Sequence, residues 1–220
     1  MRLAVLALQG DFAEHAEMLH ACGAEEIVFV RRAADLEGVD GLVIPGGEST
    51  TIAKLTGNTT DPIFDTIIDK AKNGMPVYGT CMGLIFLARE IEGYSQGRLA
   101  LMNIKVRRNA FGSQKFSREE SLSIPELGAE SFPLVFIRGP IIISAGADVD
   151  VFASVAEGIV MCRQGNLLAT AFHPELTEDT RVHAFFINMV KEYLQEKSSK
   201  KDSTEVPVTA GRTLATAGRS

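Results

Sequence analysis

The stretch that decides the fold is Gly79-Thr80-Cys81-Met82-Gly83-Leu84, a turn of small residues with a cysteine at its tip. An apolar segment predicted to be a strand, residues 75–78, runs into it, and a predicted apolar helix, residues 84–88, follows at once. This is the layout of a nucleophile elbow, in which glycines are needed because neighbouring side chains would block the turn. The N-terminus of the following helix favours a thiolate. Taken alone, the motif also fits a buried core cysteine beside a tight turn.

Length and composition limit the class of protein. The 220 residues, 45% of them apolar, are enough for one substantial α/β core, and no apolar run is long enough to span a bilayer. Three cysteines at spacings without a metal-binding pattern predict reduced thiols, no metal site and a cytoplasmic location. The net charge of −6, with no basic stripe, gives no indication of a nucleic-acid partner.

Apolar runs alternate with helical patterns through the first half of the chain, which predicts a mostly parallel central sheet with helices on both faces. The predicted strands of this half are residues 3–8, 27–30, 41–44 and 75–78. The predicted helices are residues 11–22 and a helix that begins at Asp61 as N-cap, with Pro62 at its first position, and ends at Gly74.

The second half has a different pattern. Strands that end on arginines are predicted at residues 104–108 and 134–138, a β-hairpin at 159–163 and 167–172, and a final amphipathic helix from about 180 to 196. Residues 1–196 are therefore predicted to form one domain. Residues 197–220 are rich in Ser, Thr, Ala and Gly without apolar periodicity, and are predicted to be a disordered tail.

A cysteine nucleophile needs a base, and the base needs an orienting group. The sequence His173-Pro174-Glu175 follows a predicted strand and can present imidazole and carboxylate on the same side. Glu175 can then bind one ring nitrogen while the other faces Cys81. By itself, this motif also fits a strand-end histidine followed by a helix-capping glutamate. The remaining histidines lie in predicted helices and are interpreted as surface or packing residues: His15, His20 and His183.

Acyl transfer also requires backbone N–H donors for an oxyanion. Pro45-Gly46-Gly47-Glu48-Ser49-Thr50 leaves the third predicted strand at the same edge of the sheet as the elbow. Its paired glycines let main-chain amides face a ligand, and the N–H groups of Gly47 and Met82 are predicted to form the oxyanion hole. The segment lacks the lysine and spacing of a phosphate-binding loop, and taken alone it fits an ordinary loop.

Together, these motifs resemble those of class I, triad-type glutamine amidotransferases and, more closely, the glutaminase subunits of two-protein pyridoxal 5′-phosphate synthases. The resemblance covers about residues 1–195 and implies their single-domain, flavodoxin-like α/β fold. The closer match rests on five segments: residues 8–15 (LQGDFAEH), 45–51 (PGGESTT), 108–114 (RNAFGSQ), 136–138 (FIR) and 173–177 (HPELT).

The resemblance implies roles for these residues. Cys81 attacks the side-chain amide of L-glutamine and forms a γ-glutamyl thioester, His173 transfers the proton to the leaving ammonia, and Glu175 holds the ring. No cofactor is implied. The residues implied to bind the substrate are Gly47, Glu48, Ser49, Arg108, Ile137 and Arg138. Arginine suits this task because its fork of donors matches a carboxylate.

The resemblance also implies a partner, since a lone glutaminase would lose its ammonia to water. In the family, a (β/α)8-barrel synthase subunit uses the ammonia in an assembly of twelve barrels and twelve glutaminases. Docking activates the glutaminase by completing the oxyanion hole, and Gln9 and Gly10 lie where a partner segment can contact that site. We therefore expect low activity of the chain alone, with the Gly46–Gly47 peptide wrongly oriented.

Three alternatives stay open. The nearest is the glutaminase subunit of imidazole glycerol phosphate synthase, against which stand Glu48, Ser49 and the segment 108–114. A cysteine chaperone or peptidase of the same broad fold is opposed by the His-Pro-Glu motif. A binding protein with an inactive site is opposed by the intact set of Cys81, His173 and Glu175.

Overall fold

Short buried strands form the centre of the protein in a computed structural model that describes residues 1–47, 60–110 and 117–204. The strands are β1 (Arg2–Leu6), β2 (Glu26–Val30), β3 (Gly41–Ile44), β4 (Val77–Thr80), β5 (Ala88–Ile91), β6 (Met102–Arg107), β7 (Ser117–Leu122), β8 (Phe132–Ile137), β9 (Ile141–Ala145), β10 (Asp150–Val155), β11 (Gly158–Gln164) and β12 (Leu167–Thr170). The α-helices are α1 (Phe12–Ala21), α2 (Ile63–Lys72), α3 (Met82–Leu87) and α4 (Arg181–Thr204). Short 3-10 helices span Ala33–Leu36, Pro125–Leu127 and Pro174–Leu176.

One large sheet carries ten of the described strands. Its order is β2-β1-β3-β4-β12-β11-β9-β6-β5, and β10 pairs with β11. The half from β2 to β12 is parallel throughout, because a helix or a long connection returns the chain between these strands. The other half contains the antiparallel pairs, and β7 and β8 form a separate two-stranded ribbon. The fold is thus a mixed α/β domain with a large central sheet.

The core lies around the parallel half of the sheet. Every residue of β3, β4 and β12 is buried, as expected for strands covered on both faces. Helix α2 buries one apolar face, formed by Ile63, Phe64, Ile67 and Ala71. Among the described helices, none is long and apolar enough to cross a membrane.

Most predicted elements are confirmed, with shifted ends. The strand at 41–44 and the hairpin of β11 and β12 form as predicted, while β1 ends at Leu6. The predicted N-cap was wrong, because α2 begins at Ile63 and Pro62 occupies the N-cap position. The Oδ1 of Asp61 accepts a hydrogen bond of 2.8 Å from the backbone N–H of Ala33. Helix α4 continues to Thr204. Its predicted end at about residue 196 is therefore too early. Residues 205–220 lie outside the described residues, and the division of the chain into a domain and a disordered tail stays a prediction.

Candidate active site

The parallel pairing brings the chemically interesting segments to one edge of the sheet. Strands β3, β4 and β12 are direct neighbours, with Ile44 opposite Gly79 and Thr170 opposite Thr80. Because parallel strands end on the same side, the residues that follow them meet there, where open α/β sheets bind ligands. The Pro-Gly-Gly, elbow and His-Pro-Glu segments therefore converge, although they are distant in sequence.

The elbow has the strained backbone that its shape requires. Cys81 adopts φ 48° and ψ −99°, a conformation that costs a non-glycine residue on the order of 1–3 kcal/mol. Two glycines make room for it: a Cβ at Gly83 would lie 2.1 Å from the carbonyl oxygen of Ile44, and one at Gly79 would lie 2.6 Å from the carbonyl of Gly83. The Cys81 backbone N–H donates to the carbonyl of Thr170 at 2.8 Å, which ties the elbow to β12.

His173 and Glu175 form a buried pair beside this cysteine. His173 Nδ1 lies 2.7 Å from Glu175 Oε1, and both side chains are almost fully buried. The backbone N–H of His173 donates to Val135 at 2.8 Å, which fixes the segment on β8. The ring also packs against the Pro-Gly-Gly segment, because a Cβ at Gly46 would lie 2.5 Å from His173 Cε1. The imidazole is therefore held on two sides.

The charges of this pair favour an imidazolium. Burial by itself lowers the pKa of His173, but the interactions with Cys81 and Glu175 outweigh burial and raise it to about 10. Burial would raise the pKa of Glu175, yet the contacts with His15 and His173 hold it well below its usual range. Nε2 of His173 is buried without a hydrogen bond from the described residues, so it is the ring nitrogen available to Cys81.

A cavity of about 550 Å³ opens above the cysteine. Its lining combines the nucleophile and base with positive charge, and consists of Asp11, Gly47, Cys81, Met82, Ile85, Arg108, Asn109, Ile137, Arg138 and His173. Three of the four described non-glycine residues with positive φ line it, namely Cys81, Asn109 and Arg138. Backbone strain is typically concentrated at functional sites, which singles out this cavity as the candidate active site.

The guanidinium of Arg108 is held in a defined orientation at the cavity wall. Its Nη1 donates to Gln96 Oε1 at 3.1 Å, and its Cζ lies 5.0 Å from the centre of the Tyr94 ring. A stacked, hydrogen-bonded guanidinium loses little conformational freedom when it binds a carboxylate. Arg108 is therefore prepared for an anionic group inside the cavity.

The model of the SNO glutamine amidotransferase family matches residues 5–192 of this sequence. The chain belongs to this family. The pyridoxal 5′-phosphate synthase subunit PdxT of Pelotomaculum thermopropionicum is 54% identical over 187 residues, which cover 85% of this chain and 94% of that protein. The PdxT subunit of Moorella thermoacetica is 51% identical over 190 residues, 86% of this chain and all of that protein.

Solved structures agree with the SNO assignment. A crystal structure described as a glutamine amidotransferase superposes with a TM-score of 0.81 at 46% identity, and the match covers 87% of this chain and 100% of the other. The structure of PurLQS from Thermotoga maritima matches with a TM-score of 0.57 at 15% identity, covering 90% of this chain and 98% of the other. The latter shows the shared fold alone.

The structure brings most of the predicted site residues of this SNO family member together. Seven line the cavity and Glu175 is buried next to His173, whereas Glu48 and Ser49 lie outside the described residues. Sequence reasoning missed Asp11, Ile85 and Asn109 in the lining. It also missed the position of His15, whose Nε2 lies 3.4 Å from Glu175 Oε2. Asp11 and His15 are four residues apart, the spacing of neighbours on one helix face, and this spacing is the signal that could have found them.

One cluster of side chains, Asp11, His173 and Glu175, has the residue types of a cation site. Asp11, His173 and Glu175 each offer a ligand atom, all within 4.8 Å of one another. However, His173 Nδ1 and Glu175 Oε1 are already hydrogen-bonded to each other. We therefore interpret the cluster as the support of the imidazole, and the prediction of no metal site stays a prediction.

Proposed function

We propose that this chain hydrolyses L-glutamine to L-glutamate and ammonia, as the cytoplasmic glutaminase subunit of a two-component pyridoxal 5′-phosphate synthase. The observation that carries the proposal is the buried His173–Glu175 pair at 2.7 Å beside a cysteine with positive φ at one cavity. The relatives at 54% and 51% identity are named as subunits of that synthase, which favours it over imidazole glycerol phosphate synthase.

The proposed reaction has two halves. In the first, the Cys81 sulfur attacks the amide carbon of glutamine, the C–N bond breaks, and the His173 imidazolium gives its proton to the departing nitrogen, which leaves as ammonia. In the second, neutral His173 takes a proton from water while the water oxygen attacks the thioester, and glutamate leaves as the thiol is restored. Glu175 stays ionised and stabilises the imidazolium in both halves.

The cavity supplies the remaining requirements of this substrate. Arg108 and Arg138 on its wall offer donors for the α-carboxylate, and Ile137, the last residue of β8, lines the same cavity. The N–H groups of Gly47 and Met82 are assigned to the oxyanion, and Met82 begins helix α3, where N–H groups are unpaired. Gly47, Glu48 and Ser49 complete the proposed glutamine site.

The proposed partner is the barrel synthase subunit, in an assembly of twelve copies of each. A Cβ at Gly10 would lie 1.8 Å from the carbonyl oxygen of Gly46, so the loop after β1 is in direct contact with the loop that carries the oxyanion donor. A partner that contacts Gln9 and Gly10 would thus act on the Gly46–Gly47 peptide. We propose that docking reorients this peptide and raises the glutaminase rate.

Glutamate and ammonia release from L-glutamine, with and without the barrel subunit, tests the proposal. We expect activity that rises when the barrel is added, that is lost in Cys81→Ala, and that persists in Cys22→Ala, which removes another thiol. Equal rates with and without the partner would reject the activation. Activity in Cys81→Ala would reject the mechanism. Rescue of a histidine auxotroph, but not of a vitamin B6 auxotroph, would favour the alternative synthase.

A further inference from the structure

Two fully buried histidines lie behind the proposed triad. His15, on α1, and His183, on α4, have no exposed surface, and their Nδ1 and Nε2 atoms respectively lie 2.9 Å apart. Nε2 of His15 lies 3.1 Å from Thr80 Oγ1 and 3.4 Å from Glu175 Oε2. Thr80 directly precedes the cysteine at the elbow. The two helices therefore bring a polar chain to the carboxylate that orients the base.

The chemistry of the contacts assigns a proton to His15 Nε2. An ionised carboxylate only accepts hydrogen bonds, so an unprotonated ring nitrogen at 3.4 Å from Glu175 Oε2 would place two lone pairs against each other. The ring must therefore present an N–H on this side. The other nitrogen then shares a proton with His183 Nε2, and burial together with the charge of His15 lowers the pKa of His183 to about 3, which keeps His183 neutral.

The two oxygens of Glu175 thus have different neighbours. Oε1 is bonded to His173 at 2.7 Å, whereas Oε2 is buried and accepts no hydrogen bond of good geometry from the described residues. A buried carboxylate oxygen with a weak partner is costly, because the charge is removed from water without full compensation. His15 is the described donor that is placed to compensate it.

We propose that His15 is a positioning residue that holds Glu175 through Oε2, so that Oε1 stays aligned with His173, while Thr80 and His183 hold His15. The inference rests on the proposed function in taking glutamine as the substrate. The alignment itself is expected to change the reactivity of Cys81, which can be measured without glutamine. Without the N–H of His15, the carboxylate can rotate, and the pair of Cys81 thiolate and His173 imidazolium loses part of its support. His15 contacts neither sulfur nor substrate, so its effect passes through Glu175.

The expected signature is a shift of the acid limb of reactivity to higher pH. Loss of the His15 contact makes Glu175 easier to protonate, and a protonated Glu175 no longer stabilises the imidazolium that pairs with the thiolate. Other titratable groups also surround Glu175 and must be kept constant: Asp11, Tyr78, His173 and His183. For this reason only position 15 is varied.

The test compares three substitutions in the full-length chain. Glutamine can place its amide N–H where His15 Nε2 lies, asparagine can place one only where Nδ1 lies, and leucine has no donor. The readout is the pH dependence of iodoacetamide alkylation at Cys81, followed on the Cys81 peptide by mass spectrometry, with thermal unfolding as a check of folding. His20→Gln is the matched control, because His20 is exposed on the same helix and its Nδ1 lies 2.8 Å from the carbonyl oxygen of Ala24, away from Glu175.

We expect His15→Leu and His15→Asn to lose on the order of 10- to 100-fold in alkylation rate near pH 6, as for a misplaced catalytic group, and His15→Gln to stay close to the parent. The proposal would be overturned if folded His15→Leu or His15→Asn had the same pH dependence of alkylation as the parent. It would also be overturned if His15→Asn and His15→Gln lost alkylation rate equally. If His15→Leu does not fold, the alkylation rates of His15→Asn and His15→Gln alone test the proposal. A parent without glutaminase activity but with the expected alkylation pattern would reject the function and keep the positioning role.

Discussion

Replacing Glu175 by glutamine removes the charge behind His173 while keeping the size of the side chain. The pKa of His173, about 10 against an ordinary value of 6.5, corresponds to a stabilisation of the imidazolium on the order of 5 kcal/mol. Both Cys81 and Glu175 contribute to this rise in the pKa of His173. Glu175 contributes the 2.7 Å hydrogen bond to Nδ1, and a hydrogen bond to a charged group is worth about 2 kcal/mol, so we expect its loss to lower the reactivity of Cys81 about 30-fold.

The assay is the rate of Cys81 alkylation by iodoacetamide as a function of pH. In Glu175→Gln the pKa of His173 falls, so the imidazolium that supports the thiolate is weakened, and we expect the rate near pH 7 to drop about 30-fold. The difference should shrink towards pH 10, because thiols ionise there without help. Glutaminase activity in the presence of the barrel subunit should fall in kcat with little change in KM for glutamine.

The chain contains a matched control for this substitution. Glu126 lies in a second Pro-Glu-Leu 3-10 turn, Pro125–Leu127, but is exposed and is not among the residues that line the cavity. Glu126→Gln should leave both rates unchanged. Equal alkylation of Glu175→Gln and the parent near pH 7 would refute the reasoning, because it would mean that the carboxylate does not support the cysteine–histidine pair.

Three further predictions concern the cavity and the buried histidines. Gly46→Ala should cost about 100-fold in activity with a modest loss of stability, since the new Cβ would lie 2.5 Å from His173 Cε1 and displace the ring; parent-like kinetics would contradict this contact. Arg108→Lys should raise KM for glutamine at least about tenfold, because lysine lacks the fork of donors that binds a carboxylate. Arg107→Lys, which changes only an exposed ion pair with Glu92, should leave KM unchanged; equal KM values for the two variants in steady-state kinetics would contradict the prediction. The pKa of the buried His183 is lowered to about 3, so the stability that the neutral ring contributes is complete above pH 6.5 and is lost as the pH falls towards about 3. The free energy of urea unfolding of the parent, relative to that of His183→Phe, should therefore decrease by up to about 1.4 kcal/mol per pH unit between pH 6.5 and 4.5. A difference that stays constant with pH would contradict this.

The part of the fold that carries the site could be predicted from the sequence. Alternating strands and helices in the first half imply parallel pairing, and parallel strands end at one edge, so the residues after β3 and β4 had to lie at the same edge of the sheet. The pairing of β12 with β4, which brings His173 to that edge, does not follow from this alternation. The motifs at these ends then specified Cys81 and His173. The elbow also leaves a recognisable pattern in the sequence, because a Cβ at Gly79 or Gly83 would clash with neighbouring backbone atoms, so both positions require glycine.

Other features depend on packing that local patterns do not encode. The order of the antiparallel strands β11, β9 and β6 is set by contacts between distant segments. The contact of His15 with Glu175 depends on how α1 is rotated against the sheet, and a histidine on an apolar helix face looks the same whether it packs or orients a carboxylate. The positive φ of Asn109 and Arg138 is imposed by their surroundings, since neither residue type requires it.

Covalent labelling of the chain with an electrophilic glutamine analogue tests the central claim most directly. The site predicts that the label attaches to Cys81, that excess L-glutamine protects against it, and that Cys81→Ala abolishes it while Cys22 and Cys162 stay unmodified. A label on either of these cysteines, or labelling of Cys81 that glutamine does not slow, would contradict the convergence of nucleophile, base and glutamine cavity at this edge of the sheet.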